Sequence, residues 1–402
     1  MRRRADELEL PFVDVTAPEF DADPAAVFAR ARQQSWLART SEGFAVLGHT
    51  QARAVFRHPA LRFAFAHVDV RSSPYLYEKT RGHIQALDGS EHARLRRVAL
   101  GALRERVVER LREPMRAIVS DLVDGVADRG SCDVVREITD PYPTRVVAPL
   151  LGVPDEDCDR IDAWASELLL IFDSARFSVL ASRVERAWRE IEVYLSDLLD
   201  ERRRVPGDDI YSELVRAEAG GTVSADELIT LAIALTQAAI DTTRGQLGAT
   251  MESLVRRPEQ WARLVADPGL AEQAVEEGLR FAPAVGSIPH VATVDAELDD
   301  VVFPEGSVVA VHPRAVNRDP SAFEDPDRFD IGRDAGAHFS FGFGAHACLG
   351  SQLARIEMAE ALRVLATRFA DWTLAGEVRR QPMSSNGNLL SLPVRFRTLA
   401  PA

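Results

Sequence analysis

The sequence predicts a mainly α-helical protein with small β-sheets. Helical patterns of apolar residues dominate residues 118–221, and Ser224–Glu227 carries a capping signal ahead of a further long apolar helix. Residues 283–317 instead contain short valine-rich runs broken by turn residues, which is the pattern of strands. A chain of 402 residues could form two domains, but one large core is also possible at this length, and we expect a single domain over residues 1–402.

Composition and charge narrow the classes of function. A net charge of −14 argues against nucleic acid as a partner. No apolar segment follows the N-terminal residues, and the longest apolar run, Leu228–Ile240, is too short to span a bilayer, so we expect neither a signal peptide nor a membrane anchor. The three cysteines, Cys132, Cys158 and Cys348, do not suit a disulfide framework, which favours reduced thiols and a cytoplasmic protein.

The N-terminal part of the chain mixes extended and helical segments. We expect an extended segment over residues 1–20 and a helix near Pro24. A short strand is predicted at Phe44–Gly48, followed by a helix over residues 51–57.

Residues 61–82 have little periodicity and several breakers, which is typical of a functional loop inside a compact enzyme. Within this loop, Arg71, Ser72 and Ser73 suit either a bound carboxylate or a solvated turn. The sequence alone leaves both interpretations open.

His92 and Arg96 lie four residues apart, on one face of a predicted helix. Two side chains that can carry positive charge on one face suit a carboxylate ligand. A solvated basic helix is the alternative.

The basic stretch, residues 94–116, stands out in an acidic chain. Its eight arginines against three glutamates leave a local excess of five positive charges. Such an excess can steer an acidic partner protein into contact, although solvated arginines would give the same composition.

An apolar patch, Leu168–Phe172 together with Phe177, lies near a predicted helix end. It suits either ordinary core or a lid over a substrate channel.

The helix that follows Ser224 is predicted to run to about Leu254. Its middle contains Asp241, Thr242 and Thr243. A carboxyl beside two hydroxyls inside an apolar helix is costly unless these groups are partnered or functional. A threonine there can also bond back to the carbonyl four residues earlier.

A helix over residues 271–280 places Glu277 and Arg280 at i,i+3 spacing, where they can form an ion pair. After it, Val301–Phe303 and Ser307–Val311 flank a turn signal at Pro304–Gly306, which indicates two strands.

The C-terminal tail is predicted to be mostly strand-like from Asp371 onward. Ser384–Leu390 is a plausible turn within it.

The most specific part of the chain surrounds Cys348. Gly342, Gly344 and Gly350 allow tight turns or the close approach of a flat ligand. Apolar residues then recur at helical spacing, so a helix is predicted from about Leu349. A cysteine at a helix N-terminus favours the thiolate, which is a metal ligand or a nucleophile, whereas a buried structural cysteine is the alternative.

Six positions in this region resemble the F-G-x-G-x-H-x-C-x-G signature of the cytochrome P450 family; they are Phe341, Gly342, Gly344, His346, Cys348 and Gly350. The resemblance implies the cytochrome P450 fold, with a b-type haem buried between the long central helix and the cysteine loop. In that family the cysteine thiolate is the axial ligand of the haem iron, so the resemblance gives this role to Cys348.

The resemblance extends over nearly the whole chain from Phe44 onward. It implies that the haem is also contacted by residues elsewhere in the chain; the implied set is His92, Arg96, His290, His338, Phe341, Gly342, His346, Gly350 and Ala354. His290 stands where the family often has arginine.

The family's A-G-x-D/E-T-T segment matches the middle of the long helix. The match implies that Asp241 and Thr242 deliver protons to dioxygen, with Ala239 in the place of the usual glycine. Glu277, Arg280 and Arg328 match a buried Glu–Arg–Arg network behind the cysteine loop.

The resemblance also implies a pocket for an apolar small-molecule substrate; the matching positions are Gln237, Ala238, Val285, Ile288, Asn388 and Leu389. Substrate identity is not readable from these residues.

The function implied is that of a haem-thiolate monooxygenase that inserts one oxygen atom from O2 into an apolar small molecule. Electrons would come from NAD(P)H through separate redox partners, with a ferredoxin docked on the Arg94–Arg116 side. Two alternatives remain: a haem-thiolate enzyme with peroxide-driven, oxidative-coupling or demethylating chemistry, and a non-catalytic haem-binding sensor or recruitment module.

Overall fold

The computed structural model describes residues 3–64, 73–103, 110–172, 176–383 and 386–399. Helices make up most of the regular structure in these ranges. In chain order they are α1 Pro18–Ala22, α2 Pro24–Arg32, α3 His49–Val55, α4 Pro74–Arg81, α5 Gly89–Ala102, α6 Arg112–Ala127, α7 Pro141–Leu151, α8 Cys158–Leu169, α9 Phe177–Arg204, α10 Ile210–Ala219, α11 Ala225–Val255, α12 Pro258–Ala266, α13 Ala271–Phe281, α14 Pro313–Val316 and α15 Ser351–Arg368.

The strands are short. They are β1 Arg3–Arg4, β2 Leu37–Thr40, β3 Gly43–Val46, β4 Leu61–Phe63, β5 Ser131–Asp133, β6 Ile288–Ala292, β7 Ala296–Leu298, β8 Val301–Phe303, β9 Val308–Val311, β10 Phe369–Leu374, β11 Arg379–Arg380, β12 Leu389–Ser391 and β13 Pro393–Thr398. Among the described residues, no helix is both long enough and apolar enough to cross a membrane.

The chain divides into two compact units. The cysteine unit comprises Met1–His67, Gln273–Cys348 and Arg380–Asn388. The long-helix unit comprises Val68–Glu272, Leu349–Arg379 and Leu389–Ala402. The expectation of a single domain stays a prediction.

The cysteine unit is built on a five-stranded sheet in the order β2-β3-β9-β6-β4. Strand β3 pairs in parallel with β9, so that Phe44 lies opposite Val309, and the other pairings are antiparallel. Buried side chains such as Val46, Val311 and Phe303 form its apolar core.

A second sheet in this unit has the order β1-β8-β7. The turn predicted at Pro304–Gly306 is present, since Ser307 N donates to Pro304 O. The two flanking strands nevertheless belong to different sheets, because β9 pairs with β3 and β6.

The long-helix unit is dominated by α11, which spans 31 residues as predicted. Its N-terminus has the expected capping box, in which Ser224 and Glu227 satisfy each other's backbone N–H groups. The strand-like tail is also confirmed, because β10 and β13 pair antiparallel and β13 pairs with β5.

Two local predictions are wrong. Residues 1–20 are not extended throughout, since Ala5–Glu7 forms a 3-10 turn and α1 begins at Pro18. Within residues 61–82, α4 is helical because Ser73 caps the N–H of Leu76 and proline occupies the first helical position.

The apolar patch near the end of α8 supplies core residues. Leu168, Ile171 and Phe177 are buried, whereas Phe172 is only partly buried. These three buried side chains are therefore ordinary core residues.

Helix α15 is fixed to α6 by a buried carboxylate. Glu360 is fully buried and accepts hydrogen bonds from Arg112 at 2.7 Å and from Arg116 at 2.5 Å, while Arg363 lies 2.7 Å away on the same helix. Burial alone would raise the pKa of Glu360, but the hydrogen bonds from Arg116 and Arg112 outweigh it and hold the pKa below its ordinary value.

We therefore expect Glu360→Gln to lower the free energy of unfolding by about 1–3 kcal/mol, because three partly exposed arginines lose their shared negative charge. Urea denaturation monitored by circular dichroism measures this change. As a control, Glu113→Gln removes an exposed carboxylate 3.8 Å from Arg116 and should change stability by less than about 1 kcal/mol. Equal losses in the two variants would contradict the anchoring role.

Candidate active site

Cys348 lies at the end of a tight loop in the cysteine unit. Its backbone N–H donates to Phe341 O at 2.9 Å, and Gly342 N donates to Phe339 O at 2.9 Å. The thiol of Cys348 is exposed. Helix α15 begins at Ser351 with Gly350 as its N-cap, within two residues of the predicted start.

Two glycines permit the shape of this loop. Gly342 and Gly344 have φ values of +65° and +78°, a region in which side chains are strained. A Cβ on Gly344 would also lie 2.9 Å from Phe56 O, which follows helix α3. The loop therefore packs directly on the end of α3.

Behind the loop, Glu277 and Arg280 form a fully buried ion pair. Glu277 accepts from Arg280 Nε at 2.7 Å and from Nη2 at 2.8 Å. The remaining donors of Arg280 reach the carbonyls of Asn317, Pro326 and Arg328 at 2.8–3.1 Å. All five N–H groups of the guanidinium thus have acceptors, which offsets the cost of burying it.

Asn317 connects this ion pair to the cysteine loop. Its carbonyl accepts from Arg280, its Oδ1 accepts from Phe339 N at 2.8 Å, and its Nδ2 donates to Ser340 Oγ at 2.9 Å. Ser340 Oγ donates in turn to Leu279 O at 2.6 Å. No pattern in the sequence indicated a role for Asn317 or Ser340, because their partners lie 22 to 61 positions away along the chain.

The prediction that Arg328 is the third member of this network is wrong. Its side chain is 63% exposed and pairs with Asp330, so only its backbone carbonyl takes part. Arg333 occupies the predicted place: its side chain is 14% exposed, and its Nε lies 3.4 Å from Glu277 Oε1. That approach is an ion pair without hydrogen-bond geometry, since Arg333 Nε has no hydrogen-bond partner.

The backbone turn from Asp325 to Arg328 explains why Arg333, and not Arg328, approaches Glu277. Asp325 adopts a φ of +42°, and Arg328 N closes the turn on its carbonyl, so that the Arg328 side chain projects outward. Arg333 points inward, and its Nη2 donates to the carbonyls of Asp325 and Arg328 at 3.0 and 3.2 Å.

Two histidines predicted to contact the haem, His290 and His346, both pack against the aromatic ring of Phe63. His290, on β6, is buried, and its ring lies 6.1 Å from that of Phe63 on the neighbouring strand β4. The ring of His346 stacks on that of Phe63, at 5.3 Å and tilted by 22°. Strand pairing of β4 with β6 thus brings His290 and the cysteine loop together.

His338 has protein partners at both ring nitrogens. Its Nε2 lies 3.1 Å from Glu276 Oε2, and its Nδ1 accepts from Ser340 N at 3.3 Å. The side chain is 2% exposed. A haem carboxylate would have to compete with Glu276 for this histidine, and the predicted contact stays a prediction.

Arg314 links two parts of the predicted substrate wall in the cysteine unit. Its guanidinium donates to Met383 O at 2.9 Å, to Ala284 O at 3.5 Å and to Asn386 O. Burial, with a smaller effect of Arg380, lowers its pKa to about 10. It thereby fixes the segments next to Val285 and Asn388, a role that the sequence did not indicate.

In the long-helix unit, Asp241 belongs to a cluster of charged groups around Arg244. Asp241 Oδ1 accepts from Arg244 Nη1 at 2.9 Å and from Ser166 Oγ at 3.2 Å. Arg244 also pairs with Asp162 and lies 3.6 Å from Asp140. One cation on α11 is therefore shared by three carboxylates.

Burial raises the pKa of Asp140 and of Asp241 by more than the positive charge of Arg244 lowers it. It raises the pKa of Asp140 to about 6, against the opposing charge of Arg244 and with smaller contributions from Asp162 and Asp241. Burial likewise raises the pKa of Asp241, and Arg244 and Ser166 partly offset it. Asp241 thus holds its proton to a higher pH than an ordinary aspartic acid.

The Thr242 hydroxyl donates a hydrogen bond to the carbonyl four residues earlier on the same helix, Ala238 O, at 3.0 Å. Ala238 is exposed, and Ala239, Asp241 and Thr242 are partly exposed, whereas most neighbouring positions of α11 are buried. The middle of the long helix therefore has a narrow accessible strip that contains the acid and the alcohol.

The other predicted contacts lie in the long-helix unit. His92 is buried and Arg96 half-buried on α5, while Gly350 and Ala354 lie at the start of α15. Gln237, predicted in the substrate pocket, is buried and donates to Leu168 O at 3.1 Å. The pocket position Leu389 is buried at the start of β12.

Four of the eight arginines of the basic stretch lie within 4 Å of a carboxylate of their own unit. Arg94 pairs with Glu227, Arg112 and Arg116 pair with Glu360, and Arg110 lies 3.9 Å from Asp208. Arg97 is exposed. Arg96 is half-buried, and Arg104 and Arg106 lie outside the described residues, as do Arg71 and Ser72 of the predicted carboxylate site.

The three cysteines differ in their capacity to ionise. Burial raises the pKa of Cys132 to about 12, and burial with nearby Asp155 and Asp159 raises the pKa of Cys158. Cys348 alone combines an exposed thiol with a glycine-rich loop before a helix. It is therefore the cysteine suited to ligate a metal.

Comparison with known proteins agrees with this arrangement. The family model for Cytochrome P450 matches residues 35–399. Luteothin monooxygenase of Streptomyces thioluteus is 35% identical over 394 residues, covering 96% of each chain. Cytochrome P450 monooxygenase PikC of Streptomyces venezuelae is 34% identical over 96% of this chain and 95% of its own.

Solved structures give the same result. Cytochrome P450 CYP109Q5 from Chondromyces apiculatus superposes with a TM-score of 0.85 at 31% identity and covers 97% of this chain and 99% of its own. P450BioI, in complex with a hexadec-9Z-enoic acid ligated acyl carrier protein, gives a TM-score of 0.89 at 29% identity, covering 94% of this chain and 100% of its own.

A helical fold with a cysteine loop of this kind defines a haem-thiolate oxidoreductase. The chain belongs to the cytochrome P450 family and is a monooxygenase of that family. Its predicted fold is confirmed. The family's cofactor is haem, and the exposed thiol of Cys348 on a loop shaped by two glycines fits an iron ligand.

Measurements of unfolding free energy can test whether Arg333, and not Arg328, is the third member of the network around Glu277. We expect Arg333→Gln to lower the free energy of unfolding by about 1–3 kcal/mol, because it removes one hydrogen-bond donor from each of the carbonyls of Asp325 and Arg328 and weakens the charge balance at Glu277. Arg328→Gln should change it by less than about 0.5 kcal/mol, since that side chain is exposed. Urea denaturation of the two variants decides the matter, and a larger loss for Arg328→Gln would contradict the assignment.

Proposed function

We propose that this enzyme inserts one oxygen atom from O2 into an apolar small molecule, by hydroxylation or epoxidation. Its electrons come from NAD(P)H through a ferredoxin, and it acts in the cytoplasm. The observation that carries the proposal is the exposed Cys348 thiol on a loop fixed to a buried ion pair, in a chain that is 34–35% identical to named monooxygenases.

When bound, the haem supplies the activation of dioxygen, and thiolate ligation favours O–O cleavage. The protein's part begins with Cys348, which would be the iron ligand. Its loop is held by the bond from Cys348 N to Phe341 O and by the Asn317 side chain, which accepts from Phe339 N. His290 is suited to donate a hydrogen bond to a haem carboxylate, as are His92 and Arg96. His338 could do so only in place of its contact with Glu276.

Proton supply rests with α11. Asp241 keeps its proton to a higher pH than an ordinary aspartic acid because burial raises its pKa, and Thr242 on the same accessible strip can pass a proton on. Arg244 acts as a positioning residue, since it holds the Asp241 carboxylate through Nη1 and limits the rise in its pKa. The substrate is positioned by partly exposed apolar side chains, among them Val285 and Ile288.

The decisive measurement is the absorption spectrum of the reduced, CO-bound protein. We expect the red-shifted band of a thiolate-ligated haem in the wild type and its loss in Cys348→Ala. Cys158→Ser is the matched control, because it changes a partly exposed cysteine outside the loop and should keep the band. An unshifted band in the wild type would overturn the proposal.

Arg244 provides a test of the proton route. Its positive charge lowers the pKa of Asp241, so Arg244→Gln should raise that pKa further and move the midpoint of the pH profile for coupling upward. Coupling is measured as product formed per dioxygen consumed, with peroxide release as the remainder. The control Arg183→Gln removes an exposed arginine that pairs with Glu167 on α8 and should leave the midpoint in place. A midpoint that stays or moves downward in Arg244→Gln is incompatible with this role.

A further inference from the structure

The outer face of helix α9 carries its charges in a definite order. Exposed side chains recur there at the spacing of one helix face; in chain order they are Arg186, Arg189, Val193, Asp197 and Asp200. We name these five residues the α9 ridge. From its N-terminal to its C-terminal end, the ridge passes from two cations through an apolar centre to two carboxylates.

The charges of the α9 ridge are placed symmetrically about Val193. Arg189 and Asp197 each lie four positions from Val193, and Arg186 and Asp200 each lie seven positions from it. If two such helices pack antiparallel with their Val193 side chains in contact, Arg189 of one helix faces Asp197 of the other. Arg186 faces Asp200 in the same way. The pairing therefore places opposite charges against each other on both sides of one apolar contact.

The charged groups of the ridge can exchange their present contacts for new ones. Among the described residues, Arg186 and Asp197 have no ion-pair or hydrogen-bond partner. Asp200 pairs with Arg203 one turn later, where the two side chains are 63% and 36% exposed. Arg189 pairs with Glu185 on the same helix at 2.7 Å. Exposed ion pairs of this kind stabilise a helix only slightly, so they do not prevent contacts with another molecule.

A groove beside the ridge supplies apolar surface. Val193 is 65% exposed, and the groove of about 840 Å³ next to it is also lined by Trp164 of α8 and Tyr194 of α9. The two rings lie 5.5 Å apart. Glu190 borders the same groove, but its carboxylate already accepts from Trp164 Nε1 at 2.8 Å. Packing a ridge of one helix into a groove beside another is the usual way in which helices associate, and aromatic side chains are common anchors of interfaces.

The charge order of the ridge favours a second copy of this chain as the partner. A partner with one sign of charge would be attracted by one half of the ridge and repelled by the other half. An antiparallel copy presents the opposite charge along the whole ridge, as a two-fold interface requires, because the same patch then serves on both sides. Elsewhere, the net charge of −14 makes two copies repel each other.

We propose that two copies of this enzyme associate through their α9 ridges, antiparallel about a two-fold axis near Val193. The two Val193 side chains and the groove beside them form the apolar centre of the interface. The arginine–aspartate pairs form a polar rim that fixes the register of the two helices. This inference concerns assembly, and it does not depend on the reaction that the enzyme catalyses.

Sedimentation velocity of the haem-loaded enzyme at low salt tests the proposal. We expect the wild type to form a dimer with a Kd of about 1–100 µM, because a contact built mainly from one helix of each copy is small. Arg186→Glu would face Asp200, and Asp200→Lys would face Arg186, so each variant creates two like-charge contacts in a dimer. Each should therefore raise the Kd by about tenfold or more.

An equimolar mixture of these two variants gives the sharpest result. In a mixed dimer, Arg186→Glu of one copy faces Asp200→Lys of the other, and the native pair on the opposite side is kept. We therefore expect the mixture to associate with a Kd within about threefold of that of the wild type. Because both positions are exposed, the substitutions should leave the fold intact.

Two matched valine variants separate the interface from a general charge effect. Val193→Arg places two cations at the centre of the interface and should raise the Kd by about tenfold or more. Val294→Arg makes the same change at a valine of the cysteine unit that is 56% exposed, and it should change the Kd by less than about twofold. A general charge effect would instead tighten association in both variants and in Asp200→Lys, since all three reduce the net negative charge.

Three outcomes would overturn the proposal. The first is a wild type that stays monomeric up to about 300 µM, well above the expected Kd. The second is a dimer that Arg186→Glu, Asp200→Lys and Val193→Arg leave unchanged, since another face would then form it. The third is a mixture of the two charge variants that associates no more tightly than either variant alone.

Discussion

The cysteine unit depends on one buried charge pair, Glu277 with Arg280. Neither side chain is exposed, so an unpaired member would be left charged inside the core. The pair is tolerated because every guanidinium donor has an acceptor and because Glu277 also accepts from Asp330 N at 2.9 Å. Such a network contributes geometry more than stability, since its acceptors are carbonyls of segments distant in sequence.

That geometry reaches the thiol through backbone groups. Arg280 fixes the carbonyl of Asn317, and the Asn317 side chain fixes the loop at Phe339 and Ser340. The loop then closes through the bond from Cys348 N to Phe341 O. The position of the thiol is consequently set by hydrogen bonds of fixed direction, and the large side chains nearby fill space around them.

The sequence predicts well what local spacing decides. The capping box at Ser224, the Glu277–Arg280 pair and the glycine turns before Cys348 all follow from residues within a few positions of one another. It fails where a partner is chosen by the folded chain. Arg333 rather than Arg328 approaches Glu277 because a turn at Asp325 directs one arginine outward, and no pattern in the sequence encodes that choice.

The same limit explains the charged groups missed elsewhere. Arg314 binds carbonyls about 70 positions away, with Met383 O at a separation of 69 residues and Asn386 O at 72. Arg244 was visible beside Asp241, but its link to Asp162 on α8 depends on how two helices pack. Composition likewise gives the basic stretch an excess of five positive charges, whereas in the folded chain Glu227 and Glu360 pair with three of its eight arginines.

The discontinuous make-up of the cysteine unit has a consequence for how the protein is made. Strand β3 near residue 44 pairs with β9 near residue 309, and the segment Arg380–Asn388 completes the unit. During synthesis, the N-terminal strands must therefore wait for more than 260 further residues before their partner leaves the ribosome. Contacts so distant along the chain form slowly, because a long loop must close first. Until then, the apolar faces of β2 and β3 remain open to misassociation, so this half of the enzyme is the part most dependent on protection while it folds.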